Sequence, residues 1–127
     1  MAAHAPGFLK LSEDARTRVR TLSIEELVAR RERGERFLLV DVREDREWAA
    51  GHLPGARHIG KGIVERDIER EVPDPKTHVI FYCGGGFRSV LVCDVLQRMG
   101  YTNVESLDGG WRGWNALGLP VEHSGPA

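Results

Sequence analysis

The residues best suited to chemistry lie in one continuous stretch of the sequence. A cysteine, Cys83, is followed by three glycines and then, five positions after itself, by an arginine. The segment after the cysteine reads Gly84, Gly85, Gly86, Phe87, Arg88 and Ser89. Glycines have no Cβ, so such a loop can curl until successive N–H groups point at one spot. A sulfur at that spot is favoured as the thiolate, which is the nucleophilic form of cysteine.

The elements around this stretch predict where the thiolate lies. The four apolar residues 79–82 precede Cys83 and are typical of a strand buried on both faces. From Arg88 onward, apolar residues recur at three- and four-residue steps, which predicts a helix over 88–99. Cys83 is therefore expected in a loop that runs from a strand into a helix N-terminus. The unpaired N–H groups and partial positive charge of that terminus favour an anion, and Arg88 adds a full charge.

Each cysteine also has an inert interpretation. Taken alone, Cys83 fits a small buried core residue, because free cysteines often behave as hydrophobes. The ordered strand, cysteine, glycines, arginine and helix favour the reactive interpretation instead. Cys93 falls inside the predicted helix and is expected to pack in the core. Its position predicts neither a disulfide with Cys83 nor a zinc site.

Length and composition indicate one ordinary domain. The chain has 127 residues, of which 41% are hydrophobic and 29% charged, so it can bury a core without disulfides or metals. The formal net charge of -1 does not indicate a charged surface for binding nucleic acid or a membrane. There is no apolar run long enough to cross a bilayer and no signal-peptide pattern. We therefore expect a cytoplasmic protein with reduced thiols.

Apolar strands alternate with amphipathic helices along the chain. Strands are predicted over 19–22, 37–42, 56–59, 78–83 and 103–107, and helices over 8–20, 24–33, 44–50, 88–99 and 111–117. Ser23 and Glu26 form a capping-box pattern at the start of the second helix. Residues 60–72 are ambiguous, with a helical turn or two suggested. The alternation predicts an α/β fold, in which helices cover both faces of a parallel sheet.

Four groups of residues, in this order, resemble the rhodanese-like (single-domain sulfurtransferase) family. They are Asp41, Val42, Arg43 and Glu44 with Glu47 and Trp48; residues 51–56; residues 82–89; and residues 107–110 with Trp114, Gly118, Pro120 and Val121. The resemblance spans roughly residues 20–122. It implies a rhodanese-like domain over 19–122, with a helical N-terminal extension over 1–18 and a tail over 123–127.

The resemblance also implies a five-stranded, mostly parallel sheet and sulfur-transfer chemistry. In this family the loop cysteine, here Cys83, attacks the outer sulfur of a donor such as thiosulfate and becomes a persulfide. The terminal sulfur then passes to cyanide or a thiol, and the acceptor thiol can belong to a protein. Neither a metal nor an organic cofactor is implied. The N–H groups of residues 84–89 would bind the sulfur and stabilise its charge, as in covalent nucleophilic catalysis.

Two other function classes stay open. One is a relay or protein-binding module that carries sulfur to a dedicated partner without turnover, with residues 8–20 as a candidate contact. The other is a phosphatase-like or arsenate-reducing enzyme. From Cys83 to Arg88 the spacing is C-x4-R, one residue shorter than the C-x5-R of related dual-specificity phosphatases. The shorter loop favours a persulfide over a phosphate, and no general acid for a leaving alkoxide is evident.

Three further polar residues are candidates for supporting roles. Asp41 and Arg43 lie near the carboxyl end of a predicted strand, where ligands bind in open parallel sheets. We interpret Asp41 as a cap or ion-pair partner and Arg43 as a brace for the loop region. His52 could act as a general base, because its ordinary pKa lies near neutrality. The Pro54-Gly55 turn beside it favours a structural role.

The charge of the cysteine loop bears on the choice of sulfur donor. Arg88 either contacts substrate or pairs with a carboxylate such as Glu44 or Asp41. The loop carries no other side-chain charge, so we expect weak turnover of dianionic thiosulfate. Phe87 favours an apolar or protein-borne donor. A thiosulfate KM well below the millimolar range would contradict this expectation.

Overall fold

Five short strands form a parallel sheet. In the computed structural model, which describes residues 4–123, the strands are Arg20–Leu22 (β1), Leu38–Asp41 (β2), Arg57–His58 (β3), Val79–Tyr82 (β4) and Val104–Leu107 (β5). Their spatial order is β1-β5-β4-β2-β3, and each neighbouring pair is parallel. The central strand β4 is buried along its whole length, which accounts for its uninterrupted apolar sequence.

Helices cover both faces of this sheet. Within residues 4–123 they are Pro6–Arg16 (α1), Ile24–Glu32 (α2), Asp45–Ala50 (α3), Val64–Glu71 (α4), Phe87–Arg98 (α5) and Gly110–Ala116 (α6). One apolar cluster joins the sheet to α1, α4 and α5, and includes Ala15, Ile68 and Val90. A second joins the opposite face to α2 and α6, and includes Leu27 and Trp114. The predicted fold class is confirmed: a five-stranded α/β sheet with helices on both faces.

Several element boundaries differ from the sequence-based predictions. The helix predicted over 8–20 begins at Pro6 and ends at Arg16. Thr17 N donates to Asp14 O and Arg18 N to Ala15 O. Such hydrogen bonds between residues three positions apart tighten and end a helix. Strand β1 therefore starts only at Arg20. The ambiguous residues 60–72 contain helix α4.

The predicted capping box forms only in part. Ser23 Oγ accepts a hydrogen bond from Glu26 N at 3.0 Å and so caps α2. The Glu26 carboxylate accepts from Arg30 and Arg33 instead of serving the backbone of Ser23. These arginines lie on the same helix or just past it, so their charge outcompetes a backbone N–H for the carboxylate.

Parts of the predicted termini lie outside the described residues. These are the first three residues of the 1–18 extension and residues 124–127 of the predicted tail. Among the helices formed by residues 4–123, none combines the length and the apolar character needed to cross a bilayer.

Candidate functional site

Cys83 lies between the end of strand β4 and the start of helix α5, where the sequence predicts it. The residue is 1% exposed and borders a cavity of about 260 Å³. Its Sγ accepts hydrogen bonds from Gly86 N at 3.2 Å and from Ser89 N at 3.4 Å. The Ser89 hydroxyl lies 3.5 Å from the sulfur and 2.7 Å from Ser106 Oγ. Hydrogen-bond donors therefore surround the Cys83 sulfur at the N-terminus of helix α5.

These donors control the ionisation of the thiol. Burial raises the pKa of Cys83, but hydrogen bonds from the Ser89 hydroxyl and from the N–H groups of Ser89, Gly85 and Gly86 outweigh it. The net pKa of Cys83 lies below its ordinary value. Cys93 packs in the apolar cluster under α5, and burial raises its pKa. Of the two thiols, Cys83 is the one whose surroundings favour the thiolate.

The cysteine loop is held from outside by the start of helix α6. Gly86 adopts φ +101° and is the N-cap of α5, a left-handed conformation that suits glycine. Trp111 N donates to Cys83 O at 2.8 Å, and Arg112 N donates to Gly84 O at 2.9 Å. Gly110 has φ +51°, and a Cβ there would overlap the carbonyl oxygen of Cys83. Two glycines thus allow the curl of the loop and its contact with α6.

Arg88 forms an ion pair, but its partner is not one of the carboxylates named in the sequence-based prediction. Its guanidinium donates to both carboxylate oxygens of Glu47, at 2.9 and 3.2 Å. Neither Glu44 nor Asp41 is its partner. Asp41 is occupied by Arg43, and Glu44 is the exposed N-cap of α3, one turn before Glu47. The pair joins α3 to the first turn of α5, and Arg88 also borders the cavity.

Asp41 and Arg43 form a buried ion pair that supports the cysteine loop indirectly. Arg43 Nη2 lies 2.7 Å from Asp41 Oδ2 and donates to Gly51 O at 2.6 Å. The Arg43 guanidinium also stacks over the Trp111 ring, 4.5 Å from its centroid. Neither residue borders the cavity beside Cys83. Their connection to it runs through Trp111, whose N–H holds the Cys83 carbonyl.

His52, the candidate general base, lies apart from the cavity. Its ring stacks on Trp48 at 3.6 Å between centroids, and its Nδ1 lies 3.1 Å from Leu53 O. The residue is buried and is not among those that border the cavity beside Cys83. Its position therefore matches the structural role predicted from the adjacent turn.

Three residues at the cavity were missed by sequence reasoning. The cavity is bordered by His4, Phe8, Cys83, Gly85, Phe87, Arg88 and Arg112. The sequence predicts Phe8 in an amphipathic helix that is a candidate partner contact, and it indicates no role for His4 or Arg112. For Arg112 the available signal is closeness in sequence, because it lies two positions after residues 107–110 of the family resemblance. Nothing in the spacing of residues 4 and 8 shows that α1 crosses the cysteine loop.

Arg112 changes the predicted charge of the site. Its guanidinium lies against the loop, so that a Cβ on Gly85 would collide with it and one on Gly84 would lie 2.9 Å from Nη1. Arg88 is neutralised by Glu47, whereas no carboxylate within residues 4–123 pairs with Arg112. The expectation that Arg88 supplies the only positive charge is therefore wrong, because α6 brings a second arginine to the same loop.

Comparison with known proteins agrees with this geometry. The chain matches the rhodanese-like domain model over residues 23–117. It is 34% identical over 102 residues to YtwF of Bacillus subtilis, a provisionally named sulfurtransferase, over 80% of this chain and 96% of that protein. It is 36% identical over 84 residues to the thiosulfate sulfurtransferase GlpE of Pseudomonas entomophila, over 66% of this chain and 75% of GlpE.

A solved structure from Rhodopseudomonas palustris has the same fold, with a TM-score of 0.81 and 29% identity. The match covers 96% of this chain and 99% of that one, which is described as a protein of unknown function and a possible tyrosine phosphatase. The family model and the identity to YtwF agree with the cysteine loop that joins β4 to α5. The chain therefore belongs to the rhodanese-like domain family, together with relatives named as sulfurtransferases.

Proposed function

We propose that this chain is a sulfurtransferase that carries sulfane sulfur as a persulfide on Cys83. The observation that carries the proposal is the cluster of donors on the Cys83 sulfur, from Gly86 N, Ser89 N and the Ser89 hydroxyl. These groups lower the pKa of the thiol despite its burial. A cavity beside the sulfur gives a small donor access. The name of the relative GlpE supports thiosulfate as one donor.

The first step loads the enzyme. The Cys83 thiolate attacks the outer sulfur of thiosulfate, a new S–S bond forms, and the bond within thiosulfate breaks. Its electron pair leaves with sulfite, so that one thiolate and one thiosulfate give one persulfide anion and one sulfite. The charge moves outward by one sulfur atom. N–H groups of residues 84–89 that face this position stabilise the persulfide as an oxyanion hole stabilises developing charge.

The second step unloads it. Cyanide or a thiolate attacks the terminal sulfur of the persulfide, and the Cys83 thiolate leaves with the electron pair of the S–S bond. With cyanide the product is thiocyanate. Because Cys83 leaves as a stabilised thiolate, the step needs no added base. Arg88, which Glu47 holds in place, acts in this proposal as a brace of the loop that also faces the cavity.

The proposed setting follows from the same chemistry. A persulfide carrier with two free cysteines works where thiols stay reduced. We therefore propose a cytoplasmic location, with a small sulfane donor and a thiol, cyanide or protein-borne thiol as acceptor.

The test is an intact-mass measurement after incubation with thiosulfate. We expect the wild type to gain the mass of one sulfur and to lose it again when cyanide is added. Cys83→Ser should gain nothing, and the matched control Cys93→Ala, at the buried second cysteine, should load like the wild type. Thiocyanate formation in the same samples measures turnover.

Other outcomes point to the alternative functions. Loading of sulfur at Cys83 with no transfer to cyanide or small thiols would support the relay module and contradict the proposal that the chain is an enzyme. Hydrolysis of p-nitrophenyl phosphate, with no sulfur gained from any donor, would overturn the proposal in favour of a phosphatase. The six-residue loop from Cys83 to Arg88 argues against that result.

A further inference from the structure

An aromatic cluster borders the cavity on the side of helix α1. The ring centroids of His4 and Phe87 lie 4.4 Å apart, those of His4 and Phe8 5.3 Å, and those of Phe8 and Phe87 6.2 Å. All three rings border the cavity that Cys83 borders. Phe87 belongs to the cysteine loop, but His4 and Phe8 precede the residues that match the family model, 23–117. The cavity beside the sulfur is therefore completed by a segment outside that match.

Helix α1 is fastened over the loop by contacts along its length. Ser12 is buried and its Oγ donates to Phe87 O at 3.2 Å. Arg16 pairs with Asp108 at 2.7 Å. Just past the helix, Arg18 donates to both carboxylate oxygens of Asp94 on α5, at 2.9 and 2.8 Å. These contacts hold α1 on the loop and on α5, so Phe8 is presented to the cavity by an anchored helix.

A cationic residue, Arg112, also borders this cavity. Arg112 lies against residues 84–85 of the loop, and its guanidinium has no carboxylate partner within residues 4–123. A guanidinium presents donors that bind sulfonyl or carboxylate oxygens. A donor seated beside Cys83 thus meets both a positive group and aromatic rings. Thiosulfate can use the charge, but it has no apolar surface to place against the rings.

We propose that helix α1, through Phe8, forms the specificity wall of the donor site, which means the side of the site that determines which sulfur donor binds. The site selects an anionic sulfane donor with an apolar organic group over thiosulfate. The inference rests on the proposed persulfide chemistry. An organic thiosulfonate is the model donor: the Cys83 thiolate takes its outer sulfur, and the S–S bond of the donor breaks. The electron pair leaves with the sulfinate, so charge balances and no oxidant is required. Arg112 binds the sulfonyl oxygens, and Phe8 and Phe87 contact the organic group.

The test compares two donors with the same anionic head. Benzenethiosulfonate carries a ring and methanethiosulfonate a methyl group; cyanide is the acceptor and thiocyanate the product. Because the two sulfinates differ as leaving groups, the decisive quantity is the ratio of kcat/KM for the two donors, compared between variants. We expect Phe8→Ala to lower this ratio about fivefold, mainly through KM for benzenethiosulfonate. Phe8→Leu should keep part of the preference and guards against misfolding of α1.

Three further variants distinguish the contribution of helix α1 from that of Arg112. Leu11→Ala, on the same helix at an exposed position that does not border this cavity, should leave the ratio unchanged. Arg112→Gln should lower kcat/KM for both thiosulfonates and for thiosulfate by a similar factor, about tenfold, and Arg112→Lys should recover part of it. The ratio itself should not change in either Arg112 variant.

The outcome can also separate this inference from the proposed function. A ratio that is the same in Phe8→Ala and in the wild type, with Cys83 loading normally from thiosulfate, would overturn the specificity wall and leave sulfur transfer intact. No gain of sulfur from any of the three donors would instead overturn the sulfur-transfer proposal on which the wall depends.

Discussion

At Cys83, ionisation of the thiol depends on a hydroxyl group with two neighbours. Ser89 Oγ lies 3.5 Å from the sulfur and 2.7 Å from Ser106 Oγ. In Ser89→Ala burial remains while this hydrogen bond is lost, so we expect the pKa of Cys83 to rise. The rate of alkylation by iodoacetamide follows the thiolate fraction, so its pH profile should move to higher pH. At pH 7 the rate should fall about tenfold, since a hydrogen bond to a charged group contributes about 1.5–3 kcal/mol.

Ser106→Ala is the matched control for this prediction. It removes the neighbour of the Ser89 hydroxyl and leaves every donor to the sulfur in place. The alkylation profile should therefore move less than in Ser89→Ala. An identical profile in Ser89→Ala and the wild type would show that backbone N–H groups alone set the ionisation of Cys83.

The pairing of Arg88 with Glu47 is expected to act on stability as well as activity. The two side chains are 28% and 33% exposed and meet through two hydrogen bonds. Arg88→Lys keeps the charge but loses the fork that spans both oxygens. In a double-mutant cycle with Glu47→Gln, we expect a coupling of about 1 kcal/mol in the free energy of unfolding. Denaturant titrations measure it, and a coupling near zero would argue against the brace.

Helix α6 is expected to control the loop through its first residue. A Cβ on Gly110 would overlap Cys83 O, so Gly110→Ala should displace Cys83 and disturb the hydrogen bonds that its sulfur accepts from Gly86 N and Ser89 N. We expect a loss of about 2–4 kcal/mol in stability and loss of sulfur loading. Gly118→Ala is the control, because Gly118 has φ +67° but open space at its Cβ position. It should cost about 1–2 kcal/mol and still load sulfur by intact mass. Equal loading in both variants would contradict the role of α6.

The elements themselves were largely predictable, and the contacts between them were not. Local signals such as the apolar run before Cys83 and the Ser23 cap act within a few residues, so they indicate strands and helix starts directly. The partner of Arg88 lies 41 positions away, at Glu47, and depends on how α3 packs against α5. The approach of Phe8 and Arg112 to one cavity requires α1 and α6 to cross the same loop. No spacing within either segment carries that information.

At the scale of the whole molecule, buried carboxylates tie helices to the sheet. Glu105 on β5 is 4% exposed, and it accepts from Arg30 of α2 at 2.8 Å. Its Oε1 also lies 2.6 Å from His78 Nε2, beside the start of β4. Burial raises the pKa of Glu105, but the hydrogen bonds from Arg30 and His78 outweigh it and hold the pKa below its ordinary value. The ionised form is thus the one that the fold stabilises.

The stability that Glu105 contributes should therefore depend on pH with a definite sign. Because the folded pKa lies below the unfolded value of about 4.3, the contribution is full above that pH and is lost as the pH falls through the folded pKa. At pH 7 we expect Glu105→Gln to lose about 2 kcal/mol in the free energy of unfolding. The gap to the wild type should narrow as denaturant titrations are repeated from pH 7 down to pH 3. Glu13→Gln, at an exposed position, should run parallel to the wild type throughout, and a constant gap for Glu105→Gln would mean that its charge does not stabilise the fold.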